Sequence, residues 1–436
     1  MEKDSKIRYR ILFIVFFITA LSFADRATVS IAGEAISEDF QIDGIMLGYI
    51  FSAFSWTYVL AQIPGGILVD RFGPKIIHTI LMMIWTVLLF SHGATPWLPI
   101  AMMAIVFIIL RALTGLVSAP MFSVNSRVVA EWFPIKERAF ATSIYTSAQY
   151  LSVVLFAPIF GFISMYYSWS IIFFMMAIAM GLVLIIWMKY FRLPFEHPKV
   201  SLSERSLINQ KVIASQVEKK KIIFDRQPVR QLLTNQMTVG IYIGQYCSAV
   251  VNYFFMTWFP LYLIDTFDVS IYQTSLYMIF PASGAFLGSL LAGYISDRLI
   301  AKGYSHTFSR KLPITIGLLA SSLIVCLLWI QSVTVAVICI TIVLWGRGFS
   351  GLGWTLITET VSKQFIGIHS GIFNTFSNLA GIITPIVIGF LFEMQQNFNG
   401  AIIFICAHCL LAIVSYHLLV KEIREFEIKY RVLGGS

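Results

Sequence analysis

The sequence predicts an all-α protein that crosses a membrane many times. Hydrophobic residues make up 58% of the chain and charged residues only 12%, and the mean hydropathy is +0.81. A soluble domain has about a quarter charged residues. Apolar runs of the length needed to cross a bilayer, about 20 residues, recur twelve times along the chain. They lie at 11–33, 46–69, 76–95, 97–123, 139–163, 168–190, 238–264, 271–296, 312–331, 333–358, 366–391 and 399–420.

The distribution of Lys and Arg residues orients these runs. With both termini in the cytoplasm, the cytoplasmic segments contain 28 of the 31 Lys and Arg residues. The other three, Arg26, Arg111 and Arg347, lie inside predicted spans, and the external loops contain none. Because cytoplasmic loops of membrane proteins are rich in Lys and Arg, we predict twelve spans with both termini cytoplasmic. The net charge of +9 then reflects loops beside an anionic lipid leaflet, and no nucleic-acid partner is expected.

The first predicted span, 11–33, contains two adjacent charged residues, Asp25 and Arg26. Charge at that depth costs a few kcal/mol per group, so such residues usually face the protein interior and serve a function. The run is too long for a signal peptide and lacks a small-residue cleavage site. We therefore predict a retained helix that carries a functional charge pair.

The chain repeats itself once at an offset of 227 residues. The stretch from Gly66 to Arg71 recurs as Gly293 to Arg298, and Ala157-Pro158 aligns with Thr384-Pro385 at the same offset. Parallel repeats of this kind characterise a major class of secondary transporter. We predict two pseudo-symmetric six-helix halves, with an N-terminal bundle at 1–190, a cytoplasmic linker at 191–231, and a C-terminal bundle with its tail at 232–436.

The repeated stretches are candidate conformational latches. Each glycine would let two helices approach closely, and each aspartate could pair with an arginine or cap a neighbouring helix. The alternative is a positive-inside stop signal followed by a tight turn. The predicted latch residues are Gly66, Asp70, Arg71, Gly293, Asp297 and Arg298.

Several long motifs resemble one transporter family. Besides Asp25-Arg26 and the two repeats, they are GYIFSAFSWTYVLAQIPGG (48–66), EWFPIKERA (131–139) and FNGAIIF (398–404). The chain resembles the anion:cation symporter branch of the major facilitator superfamily, and within it the proton-coupled sugar-acid permeases, glucarate/galactarate permeases in particular. The resemblance implies a twelve-helix monomer without cofactor or metal in a bacterial inner membrane. It also implies import of an organic anion by alternating access.

The charges inside the spans suit an anionic substrate. Arg26, Arg111 and Arg347 stand against Asp25, the only acid placed deep in a predicted span. A guanidinium binds a carboxylate through two parallel hydrogen bonds. The alternative is internal pairing, of Arg26 with Asp25 or of Arg347 with a backbone carbonyl at a helix break.

The resemblance adds neutral substrate ligands. At the matching positions the sugar-acid permeases use a tyrosine, a glutamine, a tryptophan and an asparagine, besides the arginines at 26 and 111. A polyhydroxy acid needs both donors and acceptors around its hydroxyl groups. For the two aromatic residues, ordinary helix packing is the alternative. The residues concerned are Tyr58, Gln149, Trp354 and Asn374.

Asp25 is the predicted proton-coupling residue. Burial raises the proton affinity of a carboxylate and a neighbouring arginine lowers it, so substrate that draws Arg26 away would favour protonation of Asp25. Sugar-acid permeases carry a second carboxylate just before the Ala-Pro of span 4, where this chain has Ser118. We expect symport with fewer protons per substrate. The alternative is uptake or exchange of galactonate, a hexuronate or another carboxylate without strong proton coupling.

Two further features have simpler interpretations. Gly346 to Gly351 matches the pattern G-x-G-x-x-G, but it follows no strand, so we predict helix packing rather than a nucleotide site. His369 is expected to be a cytoplasmic surface histidine. No side-chain cluster has catalytic spacing, so an enzyme and a non-transporting sensor remain minor alternatives to a transporter.

Overall fold

The computed structural model describes residues 5–209, 226–362 and 365–428 and is built from helices. The helices of the first half of the chain are α1 (Ile7–Ile31), α2 (Gly33–Phe40), α3 (Gly44–Gly93), α4 (Ile100–Ser118), α5 (Met121–Trp132), α6 (Ile135–Tyr166), α7 (Ser170–Tyr190) and α8 (Leu202–Asn209). A short 3-10 helix, Thr95–Trp97, precedes α4. The predicted all-α fold is confirmed.

The second half is organised in the same way. Its helices are α9 (Arg226–Thr234), α10 (Gln236–Thr257), α11 (Phe259–Phe267), α12 (Ile271–Tyr277), α13 (Ile279–Ala301), α14 (His306–Ser322), α15 (Val333–Phe349), α16 (Leu352–Glu359), α17 (Ile366–Gln395) and α18 (Asn399–Val414). A 3-10 helix, Leu323–Leu328, extends α14, and a π-helical turn, Ser415–Leu419, extends α18.

Among the described residues, eleven helical segments are long and apolar enough to cross a membrane, and the bent pair α10 and α11 makes a twelfth. The two helices of that pair meet at 59°. Pro260 lies in the first turn of α11, where it has no N–H to continue the hydrogen-bond ladder of α10. The long helix α3 contains two spans joined at Gly73, whose φ of 78° is accessible mainly to glycine. These segments correspond to the twelve predicted runs.

The chain forms two compact units, within the described residues. Unit 1 comprises Met1–Ile42 and Ala53–Lys221, and unit 2 comprises Asp43–Ser52 and Ile222–Ser436. The first turns of α3 therefore group with unit 2. The predicted domain limits at 190 and 232 stay predictions.

Residues 191–209 are a packed part of unit 1, although the sequence predicted a polar linker from residue 191. Phe191 is fully buried and stacks on Trp187 with ring centroids 3.9 Å apart. His197 packs edge-on against Trp132, and burial lowers the pKa of His197 below its usual value. The Nδ1 atom of His197 accepts a hydrogen bond from the N–H of Lys199, as an unprotonated nitrogen can. Residues 210–225 of the predicted linker lie outside the described residues.

Glu204 of α8 fixes this segment to the start of α1. Its carboxylate accepts hydrogen bonds from the backbone N–H groups of Ile7 and Arg8, at 3.2 and 3.1 Å. The Arg8 guanidinium bonds both Glu204 and Glu137, the latter in the first turn of α6. A carboxylate at a helix N-terminus is favoured by the helix dipole and by the unpaired N–H groups there. Segment 191–209 is thus anchored to the helix that carries Asp25 and Arg26.

The expectation for His369 was wrong, because this residue is fully buried in unit 2. Its Nδ1 lies 2.7 Å from the Tyr242 hydroxyl and its Nε2 lies 3.1 Å from the Thr360 hydroxyl. Thr360 also donates to the carbonyl of Leu356, so its oxygen is left to accept the Nε2–H. Two tertiary hydrogen bonds therefore compensate for burying the imidazole.

Glycines set the closest helix contacts of unit 2. A Cβ atom on Gly288 of α13 would overlap with the carbonyl oxygen of Trp345 on α15. A Cβ atom on Gly346 would likewise overlap with the backbone carbonyl oxygen of Gly317 on α14, and one on Gly348 with that of Ala285 on α13. The interpretation of the glycine pattern at 346–351 as a helix-packing motif is confirmed. By contrast, no atom of another helix lies within 4 Å of the Cβ position of Gly293 among the described residues, so it does not provide the close helix approach expected of it.

This difference between two glycines of one helix is testable. We expect Gly288→Ala to lower the free energy of unfolding by about 2 kcal/mol or more, since backbone must shift to admit the methyl group. Gly293→Ala serves as the matched control and should be neutral or stabilising by up to about 1 kcal/mol, because alanine favours helix. Unfolding in detergent measures both. Equal losses from the two substitutions would contradict this account of the packing.

Candidate substrate site

Asp25 is the buried acid of unit 1. It lies on α1 with no exposed surface, and its Oδ2 is 3.6 Å from Nη1 of Arg111 on α4. The two side chains are close enough to form an ion pair, but the distance is too long for a good hydrogen bond. Arg26 and Trp85 are also neighbours of this carboxylate. Neither oxygen of Asp25 has a hydrogen-bond donor among the described residues, so the acid is held by charge rather than by hydrogen bonds.

Arg26 is supported by aromatic rings. Its guanidinium carbon lies 4.4 Å from the ring centroid of Phe54, 4.8 Å from that of Phe23 and 5.0 Å from that of Tyr58. Cation–π contact stabilises the charge through the faces of the rings and leaves the in-plane N–H groups for other partners. In the described part of the chain no carboxylate forms a salt bridge with Arg26, and its Nε has no acceptor. The predicted alternative of an Arg26–Asp25 salt bridge is therefore replaced by Arg111–Asp25.

Arg111 is almost completely buried on α4, with 3% of its surface exposed. Its guanidinium carbon lies 5.3 Å from the ring of Phe54, so one phenyl ring contacts both cations. Two of its nitrogens, Nε and Nη1, lack hydrogen-bond acceptors in the described structure. The cluster thus sets two cationic side chains with unused donors, Arg26 and Arg111, against one acid, an arrangement that favours an entering anion.

The local sequence explains how α4 brings Arg111 to this place. Gly115, one turn after Arg111, meets the backbone carbonyl of Phe54 on α3, and any side chain there would collide with it. Next to this contact the hydroxyl of Thr57 donates to the carbonyl of Ala112. Close backbone contact and an interhelical hydrogen bond therefore fix the spacing between Phe54 and Arg111.

The predicted neutral ligands of unit 1 lie on neighbouring helices. Tyr58 is buried and stacks on Phe54 with centroids 5.3 Å apart, within the aromatic group around Arg26. Gln149 is half-buried on α6, which packs along α1. Ser118, where relatives were expected to carry a second acid, is buried, and its hydroxyl donates to the carbonyl of Thr114 at 2.7 Å. Ser118 is therefore satisfied within α4 and offers no titratable group.

In unit 2, Arg347 lies between the two packing glycines of α15. Gly346 abuts α14 and Gly348 abuts α13, so these contacts position the turn that carries the arginine. Arg347 is half-buried, and its Nε has no acceptor among the residues the structure describes. Tyr416, a fully buried residue whose hydroxyl also lacks a partner in this part of the chain, is its neighbour. Tyr416 was not among the predicted substrate ligands.

The other predicted ligands of unit 2 differ in exposure. Trp354 is 45% exposed and packs edge-on against Phe373, with centroids 4.8 Å apart. Asn374 is half-buried, and its Oδ1 accepts a hydrogen bond from Asn378 at 3.1 Å. Gln245 was missed. It is 4% exposed, its amide nitrogen donates to Ser377, and its Oε1 has no donor among the described residues. Its position as a polar residue inside the apolar run 238–264 could have marked Gln245 as a candidate.

The latch residues show different surroundings in the two repeats. Asp297 accepts a hydrogen bond from Arg310, which also bonds both oxygens of Glu359. Arg298 donates to the hydroxyl of Tyr294. In the first repeat, Arg71 lies over the ring of Phe72, and the nearest neighbour to a Cβ on Gly66 is Ser123 Oγ at 3.6 Å. The side chain of Asp70 lies outside the described part of the structure. A latch role stays a prediction.

A helical bundle that buries cations and an acid within its membrane spans is the architecture of a membrane transporter. The chain belongs to the major facilitator superfamily, whose family model matches residues 15–385. It is therefore a member of a transporter family and not an enzyme.

Relatives and solved structures agree with this assignment. The chain is 40% identical to the probable galactarate/D-glucarate transporter GudP of Bacillus subtilis, over 98% of this chain and 95% of that protein. It is 38% identical to the probable galactarate/D-glucarate transporter GarP of Escherichia coli K12, over 98% of both. The xylose transporter XylE from Escherichia coli shares the fold, with a TM-score of 0.76 at 14% identity over 95% of this chain and 96% of XylE. The similarity to glucarate/galactarate permeases inferred from the motifs is confirmed.

The charge balance around Asp25 predicts a stability effect. We expect Asp25→Asn to lower the free energy of unfolding by about 3–5 kcal/mol, because it leaves buried Arg111 without its acid. The double variant Asp25→Asn/Arg111→Gln should be less destabilised than the single one. Unfolding in detergent without substrate measures this, with Asp268→Asn, on an exposed residue, as the control. Losses that simply add would show that the two residues do not interact.

Proposed function

We propose that this protein imports a sugar acid, specifically the dicarboxylate glucarate or galactarate, together with protons. The observation that carries the proposal is the cluster of unit 1, in which buried Asp25 has two arginine neighbours, buried Arg111 and half-buried Arg26. The similarity to probable galactarate/D-glucarate transporters supports the substrate class. We further propose a monomer in a bacterial inner membrane, with both termini cytoplasmic.

Anion binding follows from the unused donors of the cluster. Arg26 is supported through the faces of aromatic rings, so its N–H groups can point at a carboxylate in a bidentate manner. Arg111 is paired with Asp25 only at 3.6 Å. An entering carboxylate would complete the hydrogen bonding of both cations. Tyr58 and Gln149 are proposed to contact the carbon chain and hydroxyl groups of the substrate.

Proton coupling is assigned to Asp25. When the substrate carboxylate engages Arg26 and Arg111, it neutralises positive charge beside Asp25, so proton binding by Asp25 becomes more favourable. Import of an anion against an inside-negative potential costs about 2.3 kcal/mol per charge per 100 mV, and co-transported protons offset this cost. Because Ser118 offers no second titratable group in α4, we propose fewer protons per substrate than in relatives with an acid there.

The decisive experiment is uptake of labelled sugar acids into vesicles with and without a pH gradient. We expect accumulation of glucarate and galactarate to depend on the gradient and to alkalinise the external medium. Asp25→Asn should abolish both effects, because asparagine cannot carry a proton. Asp268→Asn is the control, as its residue lies outside the cluster. Uptake by the Asp25→Asn protein that is unchanged and independent of pH would rule out proton coupling through this residue and favour exchange.

Arg347 is proposed to contact the second carboxylate of the substrate. It lies within the span formed by α15 and α16, and its Nε lacks an acceptor among the described residues. We expect Arg347→Gln to raise KM for glucarate by about tenfold or more, the cost of losing a charge-assisted hydrogen bond. KM for the monocarboxylate galactonate should change by less than about twofold. Lys302→Gln, at an exposed cation, is the control. Glucarate uptake that is intact in Arg347→Gln would disprove this role.

A further inference from the structure

A hydrogen-bond relay joins Asn374, one of the proposed substrate ligands, to two residues with no assigned role. Asn378 lies one turn after Asn374 on α17, and Tyr253 lies on α10, which packs against α17. The hydroxyl of Tyr253 donates to Oδ1 of Asn378 at 3.0 Å. The Nδ2 of Asn378 donates to the backbone carbonyl of Asn374 at 2.8 Å and to its Oδ1 at 3.1 Å.

The backbone carbonyl of Asn374 sets the direction of this relay. A carbonyl can only accept, so the amide atom of Asn378 that faces it must be the nitrogen. Both hydrogens of that nitrogen are then used, one by the carbonyl and one by the side chain of Asn374. The atom of Asn374 that meets Asn378 must therefore be its oxygen, since two NH₂ groups would repel each other. The Nδ2 of Asn374 consequently points away from Asn378.

Burial makes this orientation firm. Asn378 is 7% exposed, so an unpaired amide there would incur a desolvation penalty that water cannot relieve. Turning the Asn378 amide over would place its oxygen against two acceptors of Asn374 and lose both bonds. Tyr253 donates to the Oδ1 of Asn378 on the other side, so in this orientation both polar atoms of the Asn378 amide are paired.

We propose that Tyr253 and Asn378 are positioning residues that hold Asn374 as a hydrogen-bond donor toward an oxygen atom of the substrate, either a carboxylate or a hydroxyl oxygen. This inference rests on the proposed function, because it assumes that Asn374 contacts a sugar acid. An anion is rich in acceptors, so a ligand locked as a donor matches it. A freely rotating amide would present its repulsive oxygen part of the time.

The test is a double-mutant cycle on glucarate uptake by vesicles that contain the full-length protein. Asn374→Ala and Asn378→Leu should each raise KM about tenfold and leave Vmax within about twofold. Tyr253→Phe keeps the ring and should raise KM about threefold. In the Asn374→Ala background, neither Asn378→Leu nor Tyr253→Phe should change KM further, because their effect passes through Asn374. Tyr246→Phe, on the same helix, is the matched control.

The outcomes separate this proposal from the proposed function. Effects of Asn374 and Asn378 substitutions that add in the double variant would show that Asn378 acts independently, and the relay would be disproved. An unchanged KM in Asn374→Ala, with normal uptake by the unaltered protein, would overturn the relay and leave the transport function standing. Absence of glucarate and galactarate uptake by the unaltered protein would overturn both. Thermal unfolding separates these effects from misfolding, and Tyr253→Phe still tests the relay if Asn378→Leu does not fold.

Discussion

Asp25 and Arg111 are held away from water inside unit 1, with the half-buried Arg26 beside them, and this burial governs the chemistry open to the protein. The Arg111–Asp25 pair is 3.6 Å apart and lacks hydrogen bonds at both oxygens of the acid, within the described residues. Charges removed from water need close partners, because desolvation costs several kcal/mol per ion. Phe54 helps by contacting both guanidiniums, yet the cluster keeps its surplus of positive charge. This arrangement favours an anionic ligand.

Charged groups and oriented neutral groups contribute different kinds of recognition in the proposed mechanism. Charge comes from Arg26 and Arg111 in unit 1 and from Arg347 in unit 2. In unit 2, α10 and α17 provide oriented neutral groups, because Tyr253 and Asn378 constrain the amide of Asn374. Charge gives affinity for carboxylates in general, whereas oriented amides depend on where each oxygen of the ligand lies. A sugar acid, which combines carboxylates with a fixed pattern of hydroxyl groups, requires both.

Local patterns were sufficient for much of this structure. Apolar runs predicted the spans because a bilayer demands length and hydrophobicity from each helix separately. The packing role of Gly346 and Gly348 was also predictable, since small residues in apolar helices indicate close contact. The partner of Asp25 could not be predicted in this way. Arg26 is adjacent in sequence, but successive residues point to different sides of a helix, and the close partner is Arg111, 86 positions away.

Other features depended on tertiary contacts that no local pattern reports. His369 lies near the start of α17, which suggested exposure, but Tyr242 from α10 covers it and bonds its ring. Glu204 belongs to a polar segment with the composition of a linker, and only the folded chain reveals its contact with the first turn of α1. Gly293 matches Gly66 in the repeat, yet its surroundings are open. Sequence symmetry between the halves therefore does not guarantee equivalent contacts.

Phe54 brings two guanidiniums together beside one ring, and this pairing of cations affects which anions bind. With one acid against two cations, the cluster attracts small inorganic ions as well as organic ones, since Coulombic attraction does not distinguish among them. We therefore expect chloride or phosphate in the surrounding medium to compete with an organic anion for this cluster. Apparent affinity then depends on the ionic composition of the buffer, and the organism's salt environment becomes part of the carrier's selectivity.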